Sequence, residues 1–421
     1  MKKPNKKLTW LARALGAGAM LTTSAVALAG LLPSMNEKPM KSWMMVYGTE
    51  KPQQKPTMLL FGVVQPGYSY IQAGGPKATN VTGMGQFKFY RLRPGIRGSI
   101  GPNIDYYFLA EFGNNPANPN NGVVGHAHVL DGNVTLNYIP GVHVQVGQMM
   151  VPFAEEGMTA AGVLPWINYS PATYNIAFND FTSAPAPNAI AAPGSGLFNA
   201  GREMGVMAFN QFVHRSMAVD YAVGYFNGTG LSQTMSSMHH PDMGFVHGGV
   251  GFGPLAIAGS YEAGRNAVAP GVSYQQTRYA IDVRYGNYIK DPLWLWYEYQ
   301  HSDNGQAAAQ GNGTARGWFA AAGFHPVKRY MGVFRYSTYD TENLDQVGVT
   351  ATPAAGLIPK YNAPVTGSLD EDSLIGVYLA RKGVRYYVEF DHTTYNNTTT
   401  APANNAVSVM VSVPFGARLL H

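Results

Sequence analysis

The sequence contains no cysteine, which excludes disulfide bridges, thiolate metal sites and covalently attached c-type haem. Charged residues are scarce, at 13% of the 421 residues. Beyond residue 29 there is no long apolar run of the kind that a transmembrane helix needs. These absences argue against a helical membrane protein and against a disulfide-stabilised secreted domain.

The first 29 residues have the order of an export signal. Residues 14–29 are apolar and small, and Ala27-Leu28-Ala29 forms an A-x-A cleavage site, so cleavage is predicted before Gly30. The alternative, a single transmembrane anchor, needs about 20 apolar residues, and this stretch is shorter and interrupted by hydroxyls. Residues 30–56 are polar, contain Pro and Lys, and are expected to form a periplasmic lead-in. The basic residues of the signal are Lys2, Lys3, Lys6, Lys7 and Arg13.

The net charge of +5 comes from this signal. The chain has 29 Lys and Arg against 24 Asp and Glu, and five of the basic residues and none of the acids precede Gly30. The processed chain is therefore formally neutral, with 24 of each (29 − 5 = 24). The basic isoelectric point is thus no argument for a nucleic-acid partner.

What the chain has instead is apolar residues at every second position. In residues 405–415, NAVSVMVSVPF, four valines and Phe415 share one face and two serines lie on the other. Such alternation is typical of a strand with one side toward hydrocarbon or a core and the other toward a wetter space. With an export signal and 49 glycines, the pattern predicts an all-β fold, an antiparallel β-barrel over 57–421 embedded in outer-membrane lipid.

The alternation predicts about sixteen strands, joined by short turns on one side and long loops on the other, as in outer-membrane barrels. The predicted strands are 58–72, 86–100, 103–112, 126–138, 142–149, 203–211, 216–226, 243–251, 254–262, 276–286, 291–301, 315–324, 328–338, 373–381, 384–392 and 405–415.

Residues 151–201 do not fit the strand pattern. They hold six prolines and no Lys or Arg, and a structureless stretch this long normally marks a functional loop. A barrel of about sixteen strands has a water-filled lumen, so the loop is expected to fold inward and narrow the channel. It would bring Glu155, Glu156 and Asp180 to the constriction.

Successive side chains of a strand point to opposite faces, so the odd or even position of a residue (its parity) predicts whether it faces lipid or the lumen. This parity places several charged residues in the lumen. Arg91, Arg93 and Arg97 alternate with apolar neighbours, and an arginine on the lipid face costs about 2–4 kcal/mol near the bilayer midplane. Two interpretations stay open, a basic ladder that guides anions and a salt-bridged wall that is merely structural. The other predicted pore-lining residues are Asp105, Glu111, Arg278, Arg284, Arg335 and Arg385.

Three stretches carry a resemblance to a known family. Residues 144–156, VQVGQMMVPFAEE, resemble the V-G-Q-x-x-x-P-F-x-x-E signature of the phosphate-selective porin O/P family. Residues 89–100, FYRLRPGIRGSI, and 105–112, DYYFLAEF, are similar to its R-x-R-x-x-x-x-G and Y-x-x-x-x-E-F strands. The resemblance implies a sixteen-stranded outer-membrane porin, usually a homotrimer, with its third loop folded inward and with phosphate-type oxyanions among its solutes.

Two classes of function remain open at this stage. The first is a passive channel for small anions or polar solutes, and the second is a non-channel barrel, either a structural or adhesion protein or a lipid-cleaving enzyme. The chain lacks the G-x-S-x-G, P-loop and H-E-x-x-H motifs, so an enzyme is not expected. Two histidine pairs could bind a metal, His126 with His128 on one strand face and His239 with His240 and Asp242 in a predicted external loop. A specific site needs three or four converging ligands, so both are interpreted as solvated loop or wall residues, and neither metal nor cofactor is expected.

Overall fold

The computed structural model describes residues 35, 37–39, 42–73, 84–113, 127–178, 201–228, 243–269, 272–303, 314–342, 368–396 and 404–420. Sixteen strands run through them. They are β1 (Met58–Ala73), β2 (Met84–Gly101), β3 (Ile104–Glu111), β4 (His128–Ile139), β5 (Val142–Met150), β6 (Arg202–His214), β7 (Met217–Phe226), β8 (Met243–Phe252), β9 (Leu255–Ala269), β10 (Val272–Tyr285), β11 (Leu293–Asp303), β12 (Thr314–Val327), β13 (Tyr330–Glu342), β14 (Ser368–Leu379), β15 (Arg385–Asn396) and β16 (Asn404–Leu420).

The strands form one closed antiparallel barrel in which each strand pairs with its neighbours in the chain. The barrel closes between the first and last strands, where Met58 lies opposite Leu420 and Ala73 opposite Asn404. The predicted sixteen-stranded barrel is therefore confirmed. Several strands run further toward the long loops than predicted, because polar residues such as Asp370 continue the pairing beyond the apolar pattern.

The outer face carries the apolar residues. On β16, Val407, Val409 and Phe415 are exposed, whereas Ser408 and Ser412 point inward and are buried. Aromatic rings mark the short-turn rim of this outer surface. Tyr378 lies 5.0 Å from Tyr330, centroid to centroid, and 6.0 Å from Tyr386. An apolar belt with aromatic rims is the surface that outer-membrane barrels present to lipid.

Four short helical elements complete the described chain. Helix α1 (Trp43–Gly48) precedes β1, and helix α2 (Glu155–Met158) and a π-helical turn (Thr173–Ala177) lie between β5 and β6. A 3-10 turn (Arg381–Gly383) joins β14 to β15. None of the helices in the described residues is long and apolar enough to cross a membrane.

The barrel interior is occupied by residues 151–178, which leave β5 at the long-loop end and are almost entirely buried. An apolar cluster forms where this inward segment meets the wall. The rings of Trp166 (inward segment), Trp296 (β11) and Phe319 (β12) lie 5.3–5.5 Å apart. The wall is thus less polar than alternation predicts, because the segment covers these inward-facing aromatic residues. Residues 179–200, which include Asp180, lie outside the described residues.

Residues 42–57, the N-terminal segment, also lie against the interior wall, at the short-turn end. Gly48 packs against the ring of Phe209 on β6, and the ring of Tyr47 lies 5.8 Å from that of Tyr107 on β3. The sequence pattern predicts a periplasmic lead-in over residues 30–56 and no helix there. Six helical residues are too few for a periodic pattern to be visible.

Candidate channel interior

The inward segment is hydrogen-bonded to walls on different sides of the barrel. Arg278 on β10 donates to the Ile176 carbonyl at 2.8 Å, and Arg385 on β15 donates to the Val163 carbonyl at 2.8 Å. The hydroxyl of Ser260 on β9 donates to the Pro152 carbonyl at 3.0 Å. These bonds satisfy backbone carbonyls that burial would otherwise leave without a partner. The segment therefore crosses the lumen and is attached on both sides.

Glu156 organises the turn of this segment. Its carboxylate accepts hydrogen bonds from the Trp166 indole at 2.7 Å and from the Ser170 backbone N–H at 2.9 Å. The backbone N–H of Glu156 in turn donates to Glu298 on β11 at 2.8 Å. A buried carboxylate needs such donors because its desolvation is costly. Glu156 thus holds residues 166–170 against α2 and the wall.

Arg335 on β13 is the centre of the largest buried charge cluster in the described residues. Its guanidinium lies 3.0 Å from Glu371, 3.4 Å from Glu156 and 3.9 Å from Glu389. It also stacks 4.9 Å from the centroid of the Trp166 ring. Three carboxylates, from two strands and the inward segment, share this one guanidinium, which offsets only part of their charge.

The three arginines of β2 all point inward, but their surroundings differ. Arg93 forms a 2.5 Å ion pair with Glu111, which is fully buried. Arg97 pairs with Glu50 of the N-terminal segment at 3.0 Å. Arg91 instead donates to the Gln65 side-chain oxygen at 3.0 Å and lies 5.0 Å from the Tyr169 ring. Among the described residues, Arg93 and Arg97 are therefore ion-paired, as in a salt-bridged wall, and Arg91 is not.

The remaining predicted wall residues are also engaged. Arg278 pairs with Glu262 at 2.9 Å, and Arg284 pairs with Glu155 at 2.5 Å and with Asp282 at 3.4 Å. Asp105 is 4% exposed and accepts from the Ser99 hydroxyl at 2.7 Å and from the Asn137 amide at 2.8 Å. Strand parity gives the direction of these side chains, but it carries no information about partners on distant strands.

The V-G-Q motif has a structural explanation in β5. Gly147 has a φ of 124°, and a Cβ at this position would collide with the Gly132 carbonyl on β4. The next side chain, Gln148, donates to the Leu130 carbonyl at 2.9 Å. A left-handed backbone and a close approach both require glycine. The motif therefore sets the β4–β5 contact directly before the inward segment begins.

A serine, a histidine and an aspartate from three different strands form a hydrogen-bonded chain that no sequence motif predicts. His247 Nδ1 lies 2.8 Å from the Ser260 hydroxyl, and His247 Nε2 lies 3.0 Å from Asp220. The Ser260 proton is directed at the Pro152 carbonyl, so the hydroxyl anchors the inward segment. Within the described strands and segments, no group of three His, Asp or Glu side chains could hold a metal ion.

The family assignment comes from the sequence as a whole. The family model described as phosphate-selective porin O and P matches residues 64–415 of this chain, nearly the whole barrel. The chain belongs to this porin family. The porin is therefore an outer-membrane channel, and members of its family are known as channels and not as enzymes. No curated protein matches it in sequence.

Solved structures agree with the fold of the porin. An anion-selective porin from Comamonas acidovorans has a TM-score of 0.56 at 14% identity, over 86% of this chain and 100% of that one. The outer-membrane channel DcaP of Acinetobacter baumannii has a TM-score of 0.54 at 11% identity, over 87% and 100% of the two chains. Identities this low establish the barrel architecture alone.

Proposed function

We propose that the porin is a passive channel with a modest preference for small anions over cations, and that it also passes small polar solutes. The main support is that two buried guanidiniums, those of Arg91 and Arg385, contact uncharged groups. Among the described residues, neither has a carboxylate within ion-pair distance, and each donates to a backbone carbonyl of the inward segment. Arginine stays charged in proteins, so both leave positive charge at this contact.

The wall around these two arginines supports the proposal. Strands β16 and β1, which lie between them, present the hydroxyls of Ser69, Ser408 and Ser412 inward. Hydroxyl and guanidinium groups are suitable donors for phosphate-type oxyanions. The family description and the anion-selective relative point in the same direction. Opposing negative charge comes from Asp220 on β7 and from the three carboxylates around Arg335, of which Glu389 lies on β15 itself, so we expect a preference of only a few-fold.

Reversal potentials under a KCl gradient test the proposal. Arg91→Gln and Arg385→Gln together should shift the anion-to-cation permeability ratio toward cations by a few-fold, since each guanidinium acts on passing ions through partly screened water and contributes about 1 kcal/mol or less. Arg316→Gln is the matched control, because Arg316 points outward and pairs with Asp340 at 3.2 Å. An unshifted double variant, or a wild-type channel that prefers cations, rejects the assignment.

The lipid-cleaving alternative has one observation in its favour, the Ser260–His247–Asp220 chain. Ser260 is 7% exposed on the lumen side of the wall, and its hydroxyl donates to the Pro152 carbonyl. We therefore propose an anchoring role and no acyl transfer. A fluorophosphonate probe that reacts with activated serines should leave the folded porin unlabelled. Labelling that Ser260→Ala abolishes would establish the enzyme instead.

We also propose that the porin assembles as a homotrimer in outer-membrane lipid, as membership of the family suggests. The exposed apolar belt on β16 and its neighbours provides the surface for lipid and for other copies. Mass measurement of the detergent-solubilised protein, corrected for bound detergent, distinguishes three chains from one.

A further inference from the structure

The N-terminal segment, residues 42–57, is joined to the inner wall at several points. The Ser42 backbone N–H donates to the Gln211 side chain on β6 at 3.1 Å, and the Glu50 backbone N–H donates to Asp105 on β3 at 2.9 Å. The Thr57 backbone N–H donates to the Ser99 carbonyl on β2 at 2.9 Å. Three strands of the barrel thus hold a stretch that is itself outside the sheet.

One of the wall arginines is occupied by this segment. Arg97 forms its 3.0 Å ion pair with Glu50 and donates to the Val46 carbonyl at 3.3 Å. Both partners belong to residues 42–57. The segment therefore neutralises a cation that would otherwise face the lumen.

The segment lies at the short-turn end. Gln211 is close to the turn at residues 215–216, and Asp105 follows the turn at residues 102–103. In outer-membrane barrels the short turns face the periplasm. Residues 151–178 enter from the opposite end, and side chains of both segments, among them Met44 and Met158, line one small cavity. Met44 of α1 belongs to the same buried cluster as Phe153 and Met158 of the inward segment.

We propose that residues 42–57 form a second constriction of the channel, a plug resident in its periplasmic half that lowers conductance. A helix with its side chains is about 10 Å wide, a large part of the lumen of a sixteen-stranded barrel. Among the described residues, the plug is retained by the Arg97–Glu50 ion pair, by hydrogen bonds to β2, β3 and β6, and by the packing of Met44, Tyr47 and Gly48. None of these contacts is a strand pair, so the plug can leave without opening the sheet. The proposal rests on channel function and not on ion preference.

Gly48 provides the test. A Cβ at this position would collide with the Phe209 ring, which is fully buried. Gly48→Leu should therefore displace the plug and raise single-channel conductance by about twofold or more. Gln54→Leu places the same side chain at an exposed position of the segment and should leave conductance unchanged. Phe209→Ala added to Gly48→Leu makes room for the leucine and should return conductance toward the wild-type value.

A second readout uses the absence of cysteine. Met44 is 4% exposed, so Met44→Cys alone should react slowly with a charged thiol reagent, and Met44→Cys with Gly48→Leu should react at least about tenfold faster. If Gly48→Leu does not fold, a variant that lacks residues 38–52 replaces it, and its conductance should likewise exceed that of the wild type. This deletion leaves the predicted cleavage site intact. Wild-type conductance in the folded deletion variant overturns the proposal. Ion preference of the wild-type channel, in which Glu50 still pairs with Arg97, tests the Arg91 and Arg385 assignment separately.

Discussion

Arg335 and Glu156 are 179 positions apart in the sequence, yet their side chains meet 3.4 Å apart inside the barrel, and neither has any exposed surface. Arg335 also donates to the Asn168 carbonyl at 2.8 Å. A single wall residue thus binds the inward segment through both a side chain and the backbone. The pair explains how a segment with only two short helical turns keeps one course across the lumen.

Arg335→Leu should weaken both the barrel and the attachment of the inward segment. The substitution leaves Glu156, Glu371 and Glu389 without their shared cation, and breaking a buried ion pair costs about 3–5 kcal/mol. Urea unfolding in lipid vesicles, followed by tryptophan fluorescence, measures the loss. Arg316→Leu is the control, since its pair with Asp340 is 48% and 35% exposed and should contribute about 1 kcal/mol or less. Equal losses in both variants would contradict the central role of Arg335.

Replacing residues 160–195 by a short Gly-Ser linker should increase single-channel conductance. The reason is that 161–178 cross the lumen and bind walls on both sides through Arg385 and Arg278. Strands β5 and β6 pair directly with each other from Met150 and Arg202 onward, so the barrel can still close. Unchanged conductance in the folded variant would show that the segment does not limit flow.

Gly147→Ala should lower the yield of folded barrel, since alanine tolerates neither a φ of 124° nor the collision with the Gly132 carbonyl. The expected loss is about 1–3 kcal/mol, the range for strain of this kind. Gly332→Ala on β13 is the control, because a Cβ there has open space around it. Heat-modifiable mobility in electrophoresis reports the folded fraction. A normal yield for Gly147→Ala would reject this account of the V-G-Q motif.

Much of the fold could be predicted because alternation and parity are local properties. The serines and valines of β16 separate cleanly between inside and outside, and all sixteen strands lie where the pattern indicated them. Parity also selected Arg91, Arg93 and Arg97 as a group that shares one face. It could not distinguish Arg93, which Glu111 neutralises, from Arg91, which contacts Gln65.

The sequence by itself therefore determined the barrel, the inward direction of arginines such as Arg91, Arg93 and Arg97, and the unusual stretch after β5, since each follows from a period of two or its interruption. Only the tertiary structure decided which arginines are neutralised, where residues 151–178 attach and that residues 42–57 enter the barrel. These depend on contacts such as Arg335–Glu156 and Arg97–Glu50, which barrel closure brings together. No local pattern encodes a partner on a strand across the lumen.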